Sequence, residues 1–376
     1  MAKYFQTKPH MRTIAKHIYR LLLRIKNASL LAFKRSLYSS ISYFPEHANK
    51  RKSVLRRYYD QLKHTIKYGN PNAFYFLYGL DIKGMHNECD YIDYTQFMNT
   101  RNKLNNVNSP HSTVGILRNK FLFGIIANAL DIATPNNIGI IESGKLYLLK
   151  SKETVDLRNW LTTHSSNVFI KDISGECGDG VYHMITDGCN ITVDNKNVSF
   201  DELLSLLGSH RYLVQATITQ HHKISAIHPK AVNTIRLETV YNRATNTIEV
   251  LPPLLRVGVG NNNVDNWAAG GLAIGIDVNS GTLNKHGFYK PGYGTKAIKH
   301  PTTGVVFEGY EIPYLKEAIN VAKQFHSYLN DIHSIGWDIA ITENGPCIIE
   351  GNDNWEVSLV QICSHGLQKE FKTLFK

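Results

Sequence analysis

Gly336-Trp337-Asp338-Ile339-Ala340-Ile341-Thr342-Glu343-Asn344-Gly345-Pro346-Cys347-Ile348-Ile349-Glu350-Gly351-Asn352 reads as two strands around a turn, with Asn344-Gly345 as a strong hairpin signal. The turn decides what the two acids can do. A two-residue loop at Asn344-Gly345 would pair Ile339 with Glu350 and send Asp338 and Glu350 to opposite faces. A three-residue loop, Glu343-Asn344-Gly345 with Gly345 left-handed, pairs Asp338 with Glu350. It also collects Ile339, Ile341, Cys347 and Ile349 on the other face, toward a core. The alternation favours this register, because a one-residue slip would bury the acids and expose the isoleucines.

Directly opposed residues lie roughly 5 Å apart. Two carboxylates at that separation repel by about 3 kcal/mol at an effective dielectric near 20. A proton, a basic side chain or a divalent cation between them relieves that repulsion. Asn352 returns to the same face with a neutral oxygen, so the set suits magnesium, which keeps waters and takes further oxygens from phosphates. The same residues would also serve as ordinary surface acids on an exposed hairpin.

The 376 residues can hold two or three domains or subdomains, and 43% hydrophobic with 19% charged residues is the composition of a soluble globular protein. No apolar run reaches bilayer length, and the start lacks a signal-peptide pattern. Five scattered cysteines without a C-x-x-C spacing suggest reduced thiols and a cytoplasmic setting. The net charge of +11 is uneven: residues 1–68 hold sixteen Lys and Arg against only Glu46 and Asp60. Within them Arg12, Lys16, Arg20 and Arg24 recur beside an apolar stripe of Ile14, Ile18, Leu21, Leu22 and Ile25. A basic amphipathic helix over residues 12–25 would suit an anionic membrane surface at its inner face, or a solvated face on a helix packed against the body. No nucleic-acid-binding motif accompanies the charge.

Three regions follow from the pattern: a basic, mainly helical segment 1–110, a mixed segment 111–220, and a segment 221–376 with longer strands and the terminal hairpin. The run Val168-Phe169-Ile170-Lys171-Asp172-Ile173-Ser174-Gly175-Glu176-Cys177-Gly178-Asp179-Gly180-Val181 is a strand, a glycine-rich loop and a second strand. It has no Gly-Lys-Ser/Thr and opens no helix, so it is not a Walker loop. A flap over phosphates, with Lys171 as a point charge, and a plain hairpin turn both fit it. Alternation in Asn233-Thr234-Ile235-Arg236-Leu237-Glu238 places Arg236 between apolar core positions, where it can clamp a phosphoryl group or form a structural salt bridge.

These pieces, in this order, resemble the ATP-grasp superfamily and within it the sugar-transfer-associated ATP-grasp family, over roughly residues 75 to 360. The motifs are Asn119-Lys120 opening a helix, Lys171 before the glycine loop, Tyr212-Leu213-Val214-Gln215, and His228-Pro229-Lys230-Ala231-Val232-Asn233-Thr234-Ile235-Arg236. Trp267-Ala268-Ala269-Gly270-Gly271, His300-Pro301-Thr302-Thr303-Gly304 and the closing hairpin complete them. The resemblance implies an α+β fold of two subdomains gripping ATP. It implies ATP contacts from Lys120, Lys171, Ser174, Gly178 and Gln215, and Mg²⁺ (or Mn²⁺) ligands Asp338, Glu350 and Asn352. Arg236, with Asn352, would serve the transferred phosphoryl, and Asn233, Gly270 and Gly271 would line the substrate. His222 stands where relatives place a ribose-binding acid, and its role stays open. Asn119 replaces the usual aspartate before the first lysine.

The implied reaction is C–N ligation through an acyl phosphate. An amino acid or amine would join a carboxylate of a sugar acid, on a surface polysaccharide or its precursor. A kinase of a sugar hydroxyl and a non-catalytic nucleotide-binding scaffold are the alternatives. No Ser–His–Asp or Cys–His arrangement is visible.

Overall fold

Alternating apolar and polar residues build two antiparallel sheets in the computed structural model, which describes residue 27 and residues 29–34, 43–175 and 180–376. The basic stretch 12–25 and loop residue Gly178 lie outside the described residues. The described chain forms two compact units: residues up to Met98 with His365–Lys369, and Asn99–Ser364 with Glu370–Lys376.

The first unit is helical. Its helix Val54–Tyr68 starts where the Ser53 hydroxyl accepts the Arg56 N–H and stops at Gly69, whose φ of 89° few other residues adopt. The face it buries is polar. Asp60 accepts from Lys52 Nζ and Tyr75 Oη, each at 2.8 Å, and His64 sits between Glu88 and Asp93 at 3.0 and 3.1 Å.

The second unit opens with helices Val114–Arg118 and Lys120–Ala129 and then a sheet of β1 (Asn137–Glu142), β2 (Lys145–Leu148), β3 (Thr154–Asp156), β4 (Ser166–Asp172), β5 (Val181–Thr186), β6 (Ile191–Val193), β7 (Lys196–Val198) and β8 (Tyr212–Ala216). Its order is β3-β2-β1-β8-β4-β5-β6-β7. Ile141, Leu146, Val168, Ile170, Met184 and Val214 form one face, packed on helices Leu157–Thr163 and Phe200–Leu207. Strand pleating sends Lys171, Leu213 and Gln215 to the opposite face, with Lys171 paired to Leu213.

The second sheet holds β9 (Thr234–Asn242), β10 (Thr247–Val250), β11 (Leu254–Val257), β12 (Leu272–Asp277), β13 (Thr282–Tyr289), β14 (Lys296–Ala297), β15 (Ser334–Thr342) and β16 (Gly345–Asn352). The order is β14-β13-β12-β11-β9-β15-β16, with β10 on β9. Ile235, Leu237, Trp337, Ile339 and Ile341 face a core against helix Leu315–Tyr328, which contributes Leu315, Ala318, Ala322 and Phe325. Polar groups inside that core are matched. Trp337 Nε1 donates to Thr239 Oγ1 at 2.7 Å, and His326 bonds Thr239 Oγ1 and the Ile332 carbonyl at 2.7 and 2.8 Å. Among the described residues no helix is long and apolar enough to cross a membrane.

Candidate functional site

Asp338 and Glu350 stand opposite each other on β15 and β16, in the register that the alternation favours, but the chain reaches it by another route. Thr342 pairs with Gly345, so the loop is Glu343-Asn344 and not the three-residue loop expected. Gly345 (φ 115°) is the first paired residue of β16. The missing residue is taken up by a bulge: Ile339 pairs with Ile348 while Asp338 pairs with Glu350, leaving Ile349 as the extra residue. The bulge changes which side chains meet the core. Ile348 is fully buried beside Ile339 and Ile341, in place of the expected Ile349. Cys347, expected on the core face, pairs with Ala340 and therefore lies on the side of the acids.

Asp338 lies in a row that runs across three strands, because β9 places Arg236 on its other side. Arg236 Nε and Nη2 donate to the two oxygens of Asp338 at 2.7 and 3.1 Å, a bidentate fork. A second arginine, Arg256 on β11, reaches the same carboxylate at 3.1 Å and also donates to Thr234 Oγ1 at 2.9 Å. Asp265 backs Arg256 at 3.4 Å and accepts the Thr234 N–H at 3.0 Å. Asn352 donates toward Glu350 Oε1 and Asp338 Oδ2 at 3.3 and 3.5 Å.

Burial alone would raise the Asp338 carboxyl, but the charges of Arg236 and Arg256 outweigh it and hold the group below the usual range. Glu350 moves the other way. Burial raises it, and the Asp338 charge raises it further. The two acids thus have different proton affinities, as the repulsion between opposed carboxylates demands.

Lys171 on β4 of the first sheet brings a cation to this place. Loss of water lowers the pKa of Lys171, Glu350 draws it back up, and Lys120 lowers it again. Lys171 therefore feels both Glu350 of the acidic pair and the second lysine. Lys120 opens helix Lys120–Ala129, and Asn119 caps it: Oδ1 accepts the N–H groups of Phe121 and Leu122 at 3.1 and 3.0 Å. Asparagine and aspartate serve equally as caps, so the departure at Asn119 keeps the function of fixing where the helix and Lys120 begin. Lys120 Nζ donates to the Gly175 carbonyl in the glycine-rich loop. In the same loop Ser174 turns its hydroxyl to Asp172 Oδ1 at 3.1 Å, tying down the loop entrance. Gln215 is buried on β8; its Nε2 donates to Asn137 Oδ1 at 2.8 Å and its Oε1 has no partner.

Other expected site residues have partners of their own. Asn233 is buried, with both amide hydrogens given to Gln220 Oε1 and the His228 carbonyl and its oxygen accepting the Gly258 N–H. Gly271 is a packing glycine, since a Cβ there would lie 2.6 Å from the Asp265 carbonyl oxygen and 2.9 Å from that of Val257. Gly270 has φ 93° and would bring a Cβ within 2.9 Å of the Tyr293 ring. His222 bonds Glu343 at 2.9 Å on the hairpin turn, with His221 3.5 Å from the same carboxylate. These three have ligand atoms within 4.8 Å of one another. Arg256 and Asp265 were not anticipated. Arg256 sits between apolar Leu255 and Val257, the same local signature as Arg236, but its meeting with Asp338 depends on β11 pairing with β9.

Lys171 of the first sheet and Lys120 at its helix start thus lie by Glu350 of the second sheet, which stands opposite Asp338 and its two arginines. The chain belongs to the sugar-transfer associated ATP-grasp family, whose model matches residues 99–375. A search of curated proteins finds no match. Similar solved structures include D-alanine–D-alanine ligase from Helicobacter pylori, with 14% identity and a TM-score of 0.38 over 69% of this chain and 60% of that one. D-alanyl-alanine synthetase A from Vibrio cholerae O1 biovar eltor gives 10%, 0.38, 68% and 60%. N5-carboxyaminoimidazole ribonucleotide synthetase from Thermus thermophilus gives 10%, 0.37, 65% and 47%. The chain spans less than two thirds of the length of each of these three.

Proposed function

We propose that the protein is an ATP-dependent carboxylate–amine ligase acting through an acyl phosphate, with a sugar acid or glycan precursor as the carboxylate and an amino acid or amine as the nucleophile. The observation that carries the reading is the opposed pair Asp338 and Glu350, bracketed by Arg236 and Arg256 and facing Lys171. A carboxylate is a poor electrophile until its oxygen bears a phosphoryl group. Lys120 and Lys171 would hold the ATP phosphates, and the unpartnered Gln215 Oε1 supports an N–H donor such as the adenine amino group beside it. Arg236 would neutralise charge on the transferred phosphoryl, and Arg256 would keep Asp338 ionised. This is catalysis by positioning and electrostatics.

The residues also fit a hard divalent cation. Two carboxylates that repel each other stand beside the Asn352 amide, whose nitrogen donates to both; turned over, the amide presents its oxygen and completes an all-oxygen set of the kind Mg²⁺ or Mn²⁺ takes. Asp338, Glu350 and Asn352 would hold the ion, which when bound screens phosphate charge. The test is ADP release across a panel of amino acids and uronic acids, with Asp338→Ala as control. Amine-dependent release in wild type and none in the variant is expected. Nucleotide binding without turnover on any acceptor points to a scaffold, and a stable phosphorylated sugar without amine points to a kinase. Residues 12–25 would bring the protein to anionic membrane; removal of residues 1–30 then abolishes sedimentation with anionic vesicles, and full-length protein that ignores them at low salt contradicts it.

A further inference from the structure

Helix Val54–Tyr68 is turned inside out. A surface helix ordinarily buries its apolar stripe and shows its polar face to water. Here Asp60, Gln61, His64 and Thr65 are buried, while Leu55, Tyr59 and Ile66 are 80%, 55% and 70% exposed. With half-buried Leu62 between them they recur at intervals of four, three and four residues, which makes one row along the helix. The inward groups have a reason to point inward. Gln61 Nε2 donates to the Asn72 carbonyl at 3.2 Å and Gln61 Oε1 accepts the Asn72 N–H at 2.8 Å. Thr65 Oγ1 donates to the Gln61 carbonyl at 2.7 Å, and Asp60 and His64 are bonded as described above. The apolar row is left facing solvent.

Both edges of the row carry more of the same chemistry. Arg56, Lys63 and Lys67 repeat its spacing one position further on, so three exposed cations line one edge. At the other edge the Phe33 ring meets Tyr58 edge-on with centroids 6.0 Å apart, which brings residues 29–34 alongside, with Leu30 and Leu31 exposed. The helix holds four Lys and Arg against a single acid. That acid, Asp60, is buried and bonded to Lys52, Arg56 and Tyr75. The outward face is therefore apolar and cationic together.

A contiguous exposed apolar patch marks an interaction surface, and the sign of its charge selects the occupant. The basic stretch 12–25 and a second copy of this helix would each bring further positive charge, and like charges repel. An anionic bilayer offers headgroups to the cations and acyl chains to the row, and lysine stems reach from one to the other. We propose that the outward face of helix Val54–Tyr68 lies on an anionic membrane surface. Leu55, Tyr59 and Ile66 enter the headgroup boundary, and Arg56, Lys63 and Lys67 meet the headgroups. This contact is separate from residues 12–25 and independent of the ligase chemistry. One amphipathic element binds a bilayer weakly, and two on one chain reinforce each other, so loss of either releases the protein.

The test sediments the full-length protein with vesicles of pure phosphatidylcholine and of phosphatidylcholine mixed with phosphatidylserine. Wild type should bind the mixed vesicles at low salt and release them at high salt, and should ignore the pure ones. Leu55→Glu/Ile66→Glu and Lys63→Glu/Lys67→Glu should each lower the partition coefficient at least ~tenfold. Both pairs change exposed positions, so their unfolding temperatures should match wild type. Leu206→Glu, at an exposed leucine of helix Phe200–Leu207, should bind as wild type does. Undiminished binding by both pairs, or an equal loss in Leu206→Glu, overturns this contact and leaves residues 12–25 standing. Wild type that ignores mixed vesicles at low salt overturns both contacts and leaves an acidic protein surface as the partner. A dimer in solution that Leu55→Glu/Ile66→Glu splits places a second copy on the face, and a drop in that variant's unfolding temperature places the row within the chain; either overturns the proposal.

Discussion

The two faces of the β9–β15 pair contrast sharply. On one, Ile235, Leu237, Ile339 and Ile341 are fully buried against helix Leu315–Tyr328, and even the polar Trp337–Thr239–His326 chain is satisfied. On the other, one residue away along the same strands, Asp338, Glu350, Arg236 and Arg256 crowd together, and Glu350 is pushed away from its ordinary proton affinity. Strand pleating lets a single sequence serve both purposes, because each successive side chain changes face. The apolar face supplies stability; the polar face carries a carboxylate repulsion that Arg236 and Arg256 oppose from the Asp338 side.

Substitutions on each face should separate these roles. Glu350→Gln is expected to lower ATP turnover by ~10³-fold or more, the scale of lost charge stabilisation in phosphoryl transfer. Its urea midpoint should hold or rise, since the repulsion with Asp338 is gone. Ile339→Ala should do the reverse, costing ~2–5 kcal/mol of stability and leaving turnover of the folded enzyme near wild type. A large loss of stability in the first, or of turnover per folded molecule in the second, breaks the contrast.

The apolar face has its own pH signature. Burial lowers His326 to about 4, with the Ile332 carbonyl only partly opposing. Between about 4 and the unfolded value near ~6.5, the unfolded chain binds the proton that the folded chain refuses. Stability is therefore present above ~6.5 and declines as pH falls through that window. Urea midpoints at pH 7, 5.5 and 4.5 should decrease in that order, and a flat profile contradicts a neutral buried imidazole. The smallest effect is expected at Asn119→Ala, which removes the helix cap at a cost of ~1 kcal/mol and weakens ATP binding by loosening Lys120; unchanged thermal unfolding and nucleotide affinity would show that the cap is idle.

Much of this contrast was legible in residue order. Alternation put Asp338 with Glu350 and Arg236 between core positions, and Lys171 fell near the end of its strand as expected. The bulge at Ile349 was not legible, because a hairpin turn and a bulge shift register by the same single residue, and residues 343–350 do not distinguish them. Only the observed packing of Ile348 does. Arg256 and Asp265 were missed for a related reason: which strand neighbours β9 is settled by tertiary contact, not by local pattern. The resemblance alone put Asn233 among the substrate residues, and its amide bonds Gln220 and the main chain.

The central claim is that Asp338, Glu350 and Asn352 hold a cation together with a nucleotide. Mn²⁺ binding followed by electron paramagnetic resonance, with and without ATP, tests it directly in wild type and in Asp338→Asn/Glu350→Gln. Tight Mn²⁺ binding that requires ATP in wild type and disappears in the double variant is the expected result. Equal Mn²⁺–ATP binding by both proteins would contradict it.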